Sequence, residues 1–271
     1  MPHMTVRRDV RTSDRVRQII VAVCAVVAIV GGAVGSGAFG GTAIQDAAGG
    51  ALRADATLLA PAVPAFGIWS VIYLGLIGYA IWQALPAHAT SSRQRALGYL
   101  VAASLVLNAG WILSVQADLL ALSVVVIVAL VAVLAFAFAR TVRSPARRVG
   151  DMILTDGVIG LYLGWVSVAT AAGIAATLVA AGFTGWGLPA EAWSTGILII
   201  TGAIAITLAV VSRGRISPML SLCWGLAWIA VARLGGSPHS TTTAIAAIIV
   251  AAAVIIVTLI FRVQALRKVR S

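Results

Sequence analysis

Eight apolar stretches of membrane-spanning length run through this 271-residue chain, and nothing between them is large enough to build a soluble core. A helix needs about 20 apolar residues to cross bilayer hydrocarbon. Lipid offers the backbone no hydrogen-bond partner, so each stretch is read as a helix that satisfies its own peptide groups. The spans are placed at about 18–40, 66–85, 96–115, 119–139, 153–180, 192–212, 216–233 and 241–262. The expected fold is therefore an all-α, polytopic integral membrane helix bundle of about eight transmembrane helices, with the lipid bilayer as its first partner. The longest stretch outside the spans, roughly residues 41–65, is too short for a core of its own.

Charge orients the bundle. If the first span enters from the cytoplasm, the inside segments hold Arg7, Arg8, Arg11, Arg15 and Arg17, then Arg93 and Arg95, then Arg140, Arg143, Arg147 and Arg148. Arg213 and Arg215 follow, with Arg262, Arg267, Lys268 and Arg270 at the end, so only Arg53 and Arg233 of the nineteen basic residues remain outside. Basic excess in short loops sets orientation, so both termini are expected in the cytoplasm. The net charge of +11 is then a topology signal, strengthened by anionic lipid headgroups, and no nucleic-acid partner is expected. A single lysine among many arginines, with abundant Ala, Gly and Val, suggests a GC-rich bacterial genome and a bacterial cytoplasmic (inner) membrane.

The first span follows a long basic segment, and its apolar and small-residue run continues to Gly41. A retained helix is expected rather than a cleaved signal peptide. In that run Gly31 with Gly35, and Gly37 with Gly41, have the four-residue spacing that lets another helix approach closely. Packing inside the bundle and a homodimer seam are the two readings. Cys24 and Cys223 both lie inside spans, far from any metal-ligand spacing, and are read as buried free thiols.

What the spans lack excludes several functions. Charges at bilayer depth usually mark ion or proton pathways, and only Asp156 lies inside a predicted span. It sits about one turn from the cytoplasmic end, where interfacial pairing with Arg147 and Arg148 competes with a transport role. The helices hold no Lys for a retinal Schiff base, and His3, His88 and His239 lie outside the spans, which argues against haem. No cofactor is expected. No enzyme is expected either, because no nucleophile stands beside a base and no metal cluster is present.

The interior does carry aromatics at helical spacing. Trp69 and Tyr73 are four apart in the second span, Asn108 and Trp111 three apart in the third, and Tyr162 and Trp165 three apart in the fifth. Each pair shares a helix face. If those faces converge, they line a cavity toward the outside segment 41–65, suited to a flat apolar ligand that stacks on indole and phenol rings. Asn108 would add one directional hydrogen bond. The competing reading is an interfacial belt, to which Trp82, Trp186 and Trp193 are assigned, with Asn108 as a helix–helix contact of about 0.6 kcal/mol.

At these residues a resemblance enters. Pro61 to Leu85 (PAVPAFGIWSVIYLGLIGYAIWQAL) resembles the second helix of the tryptophan-rich sensory protein family, also called TspO or translocator proteins. Tyr99 and the run Leu107-Asn108-Ala109-Gly110-Trp111 are similar to that family's LNxxW pattern, and Tyr162-Leu163-Gly164-Trp165 with Val166 to Thr170 to its YxxW-V-x-x-A pattern. The resemblance covers about residues 18–182, the length of an ordinary member. Residues 183–262 add three helices, Trp224 and Trp228 among them, as in longer bacterial relatives. Residues 1–17 and 263–271 are read as basic cytoplasmic ends. The sequence departs from the family at Ser104, where a Gln is usual, at Ala171, Ala172 and Gly173, where an Asn is expected, and at Val63 and Ala65 beside Pro64, where a Trp is missing.

The resemblance implies a membrane receptor, sensor or carrier for a planar hydrophobic small molecule, with porphyrins and other tetrapyrroles as the class. The ligand-binding set it implies is Pro64, Phe66, Trp69, Tyr73, Asn108, Trp111, Tyr162 and Trp165. Arg53 and Arg233, the outside cations, have two readings, contact with a ligand carboxylate and solvated interfacial charge. A transporter of another hydrophobic molecule, and an accessory subunit whose aromatic faces only pack, stay open.

Overall fold

The computed structural model describes residues 10–37 and 42–270, and these are helices and connecting turns with no strand among them. Eight helices are long and apolar enough to cross a membrane. They are α1 (Thr12–Gly35), α2 (Ile68–Ala84), α3 (Ser92–Gln116), α4 (Leu120–Arg143), α5 (Val158–Ala180), α6 (Ala190–Val211), α7 (Ile216–Gly235) and α8 (Thr241–Arg270). One 3-10 turn, Val63–Gly67, leads into α2, and a π turn, Met152–Gly157, leads into α5. With eight such helices, the start of α1 and the end of α8 fall on one face. The α1–α2 segment, with Arg53, lies on the opposite face.

Local sequence sets several boundaries. The Ser91 hydroxyl caps α3 by accepting from Gln94 N, and Asp14 turns back to accept from Arg11 N at the start of α1. The first helix ends five residues before the expected 40. Gly37 takes φ +78°, a left-handed conformation that stops the helix, and its N–H reaches back to Val34 O. Hydropathy alone misses this stop, because glycine and alanine remain apolar whether or not they are helical.

Helix neighbours define the architecture. The first five helices close a ring in the order α1, α3, α4, α5, α2, and one buried cluster from Val21 to Val166 fills it. Outside the ring, α7 lies along α5, α8 along α7, and α6 along α8, around a second cluster that includes Leu198, Leu226 and Ala247. Gly160 and Gly164, one turn apart on α5, leave room for Ser217, Pro218 and Ser221 of α7. Gly31 and Gly35 face Ala109 and Ile112 of α3, so this pair packs inside the bundle. The Gly37 and Gly41 pair includes Gly41, which lies outside the described residues.

Polar clasps join the helices near the face that carries the termini. Arg95 of α3 holds Asp14 of α1 through two 2.6 Å bonds, and Gln18 and Gln83 exchange amide-to-carbonyl bonds of 2.8 and 3.1 Å between α1 and α2. Asp156 is paired, but with Arg93 and Arg215, not with Arg147 and Arg148. Arg215 also donates to Thr141 Oγ1 and to the Thr141 carbonyl at 2.9 and 2.8 Å, so this knot joins α3, α4, α5 and α7. Trp82 is more than a belt residue: its Nε1 donates to Asp151 at 3.0 Å and its ring packs on His88.

Candidate functional site

Inside the ring, toward the face opposite the termini, four aromatic side chains meet Trp69 and a fifth, Phe66, joins through Trp165. The Trp69 ring stacks with Tyr73 at 5.4 Å and with Trp111 at 6.5 Å, and meets Tyr162 and Trp165 edge-on at 5.9 and 6.3 Å. Phe66 meets Trp165 edge-on at 6.0 Å. Offset stacks and edge contacts of this kind add about 0.5–1.5 kcal/mol each beyond the burial of area. The three sequence pairs, from three helices, therefore form one cluster.

Its members differ in what they face. Trp69 and Trp111 act as a partition between two spaces. Toward α1 lies a cavity of about 430 Å³, walled by Trp69, Tyr73, Trp111, Phe66, Gly32 and Ile112 among others. Toward α5 the space is only about 40 Å³, walled by Trp165, Pro61, Leu52 and Ala172 together with the same partition. Ligand pockets typically span about 300–1,000 Å³, so only the α1 side has room for one. Trp165 and Tyr162 are each 1 % exposed, and neither lines the larger cavity.

Hydrogen bonds set the ring positions. Asn108 Nδ2 donates to Tyr73 Oη at 2.9 Å, and Tyr162 Oη donates to the Ser104 carbonyl at 3.3 Å. Asn108 is fully buried and lines neither space, so it holds Tyr73 rather than presenting an amide to the cavity. Gly32 lets the Tyr73 ring lie against the α1 backbone: a Cβ there would come within 2.6 Å of the ring. Trp165 Nε1 and Asn108 Oδ1 are buried without a hydrogen-bond partner.

Two expectations about the rim change. Pro64 is exposed and lines neither space, whereas Pro61 is buried on the smaller one. Arg233 is not a free outer cation. Its guanidinium is fully buried and donates to the carbonyls of Pro238 and Ala54, fastening α7 to the α1–α2 segment. A basic residue near a helix end looks solvated from sequence because one carbonyl partner, Ala54, lies far away in the chain and the other, Pro238, is presented only by the fold of the turn after α7. Arg53 is exposed and sits 3.3 Å from Asp55.

The wall from α1 was not foreseen. Gly32 is not one of the glycines that the four-residue spacing singles out, and a glycine carries no aromatic signal. Trp224 is another residue whose role the fold reveals. Its Nε1 donates to the Ala65 carbonyl at 3.0 Å and Ala62 N donates to Trp228 O at 3.2 Å, so α7 braces the turn that leads into Phe66 and Trp69. Among the described residues no His, Cys, Asp and Glu cluster could hold a metal.

No curated protein and no solved structure matches the chain. A family model described as TSPO-like protein matches residues 18–261, all eight spans in whole or large part. With a match over nearly the whole chain and eight helices of spanning length, this chain is a multi-pass membrane protein and belongs to the TSPO-like protein family.

Proposed function

We propose that the protein is a sensor or carrier that binds a planar hydrophobic molecule, a porphyrin or related tetrapyrrole, in the cavity between α1, α2 and α3. The observation that carries this reading is the stacked array of Tyr73, Trp69 and Trp111 beside a space of about 430 Å³. Neighbouring rings in this array are tilted by only 24° and 26°, and a flat macrocycle stacked on the faces that line the cavity would bury apolar area against rigid side chains. Asn108 and Gly32 position Tyr73 for that contact, while Tyr162 and Trp165 support Trp69 from behind. The exposed Arg53 is the outer cation available to a ligand carboxylate.

On this reading the action is binding or passage, not chemistry. The positive-inside distribution places the termini in the cytoplasm, and the membrane is a bacterial inner membrane. The cavity then lies in the outer half of the bilayer.

Titration of the detergent-purified protein with protoporphyrin IX, followed by Trp quenching and the porphyrin absorption band, tests this. Saturable binding that weakens at least tenfold in W69F/W111F, about 1.4 kcal/mol, is the expected result. Equal, non-saturable partitioning into both proteins would overturn it and leave the aromatic cluster as packing alone.

A further inference from the structure

A second cavity lies away from the aromatic cluster, where the five-helix ring meets the three flanking helices. It measures about 310 Å³ and is bounded by α5, α6, α7 and α8, with Val131 of α4 at its edge. Helix α6 packs along α8 and touches α5 and α7 at few places, which leaves this cleft between them. Ile200 and Ile204 on its α6 wall are each 62 % exposed in a helix of transmembrane length, so the mouth faces hydrocarbon.

The wall is apolar even where the sequence is not. Ser167, Thr170 and Thr201 donate to the carbonyls of Leu163, Val166 and Ile197 on their own helices, at 2.8, 2.7 and 2.8 Å. Their hydroxyls are thereby withdrawn from the cleft as donors. From Ile197 to Ser212 the α6 wall rises about 22 Å at 1.5 Å per residue, close to half of the roughly 40–45 Å of a whole bilayer. The cleft therefore has the length of one lipid leaflet.

Its end at the face of the termini is basic. Arg215 lines the floor and is neutralised by Asp156. Gly214, at φ +72°, fits where a Cβ would meet the α8 backbone at Thr258 and Arg262, which sets Arg213 and Arg262 beside the floor on adjoining elements. Neither Arg213 nor Arg262 has a carboxylate partner among the described residues. An apolar groove of leaflet length, open to lipid and with two uncompensated arginines just beyond its floor, has the chemistry of a phospholipid site.

We propose that this cleft holds one acyl chain of an anionic phospholipid, with the lipid phosphate between Arg213 and Arg262. The site is separate from the aromatic cavity, and it gives the three flanking helices a role of their own. An ordered acyl chain would fill the gap that α6 leaves against α5 and α7.

Native mass spectrometry of the full chain tests the proposal, with palmitoyl-oleoyl phosphatidylglycerol or the matching phosphatidylcholine added in mild detergent. The expected result is retention of one phosphatidylglycerol in preference to phosphatidylcholine. R213Q/R262Q, which changes only the basic rim, should lose that preference by at least tenfold, and A171F, which fills the cleft from α5, should retain neither lipid. Equal retention by parent and both variants would overturn the proposal, as would no retention by the parent. Retention without headgroup preference, unaffected by R213Q/R262Q, would overturn the anionic assignment. None of these readouts depends on porphyrin binding.

Discussion

Single side chains in the ring separate positions that hold structure from positions that offer a surface. Tyr73 and Tyr79, both on α2, differ in outlook: the first hydroxyl accepts from Asn108, while the second is buried without a partner. Removing a paired interhelical hydrogen bond in a membrane protein costs about 0.6 kcal/mol on average. Removing an unpaired buried hydroxyl is neutral or stabilising, because its desolvation is uncompensated. Y73F should therefore lower unfolding stability in detergent by about that amount, whereas Y79F should leave it unchanged or raise it. A larger loss in Y79F than in Y73F would contradict the hydrogen-bond assignment. Gly32 gives a second prediction. G32L places a side chain where the Tyr73 ring now lies, and porphyrin binding should weaken at least as much as in W69F/W111F with the helix content unchanged by circular dichroism. The residue identities were legible in the sequence, since Trp69 with Tyr73, and Asn108 with Trp111, share helix faces by spacing alone. Which of them line open space was not. That depends on Trp69 standing as a wall between α1 and α5, a relation among helices distant in the chain.

Between helices, a few charged groups carry the connections that apolar surface does not specify. Asp156 emerges from the π turn before α5 and pairs with Arg93 of α3 and with Arg215, just before α7. Its carboxylate separates two guanidinium groups that would otherwise repel. Breaking a buried pair by removing one partner costs about 3–5 kcal/mol, because the remaining charge is uncompensated. D156N should therefore be among the most destabilising single changes in the protein, and D156N/R93Q should recover part of the loss; thermal unfolding of the two variants measures both. Sequence reasoning reached the conclusion that Asp156 is paired, because a lone carboxylate at that depth is costly. It assigned the nearest arginines in the chain, Arg147 and Arg148, and the fold uses Arg93 and Arg215, brought close by helix packing. The same distinction holds for Arg233, whose carbonyl partners at Ala54 and Pro238 no local pattern reveals.

For the whole molecule, eight crossings predict that Arg147 and Thr184 lie on opposite sides of the membrane. In a C24S/C223S background, R147C and T184C should be labelled by an impermeant maleimide from opposite faces of oriented vesicles. Labelling of both from one face would contradict the eight-helix topology. The number, approximate position and helical character of the spans were determined by the sequence itself. Hydropathy and backbone self-satisfaction in lipid are local properties, read from about 20 residues at a time. The family likeness was also legible, because its motifs lie within single helices. Only the tertiary structure decided that α1, α3, α4, α5 and α2 close a ring, that its roomier side faces α1, and that α6 stands off from α5 and α7. Helices in a membrane are all apolar on their outer faces, so hydrophobicity cannot choose their neighbours. Close packing at small residues such as Gly160 and Gly164, and a handful of buried hydrogen bonds and ion pairs, make that choice.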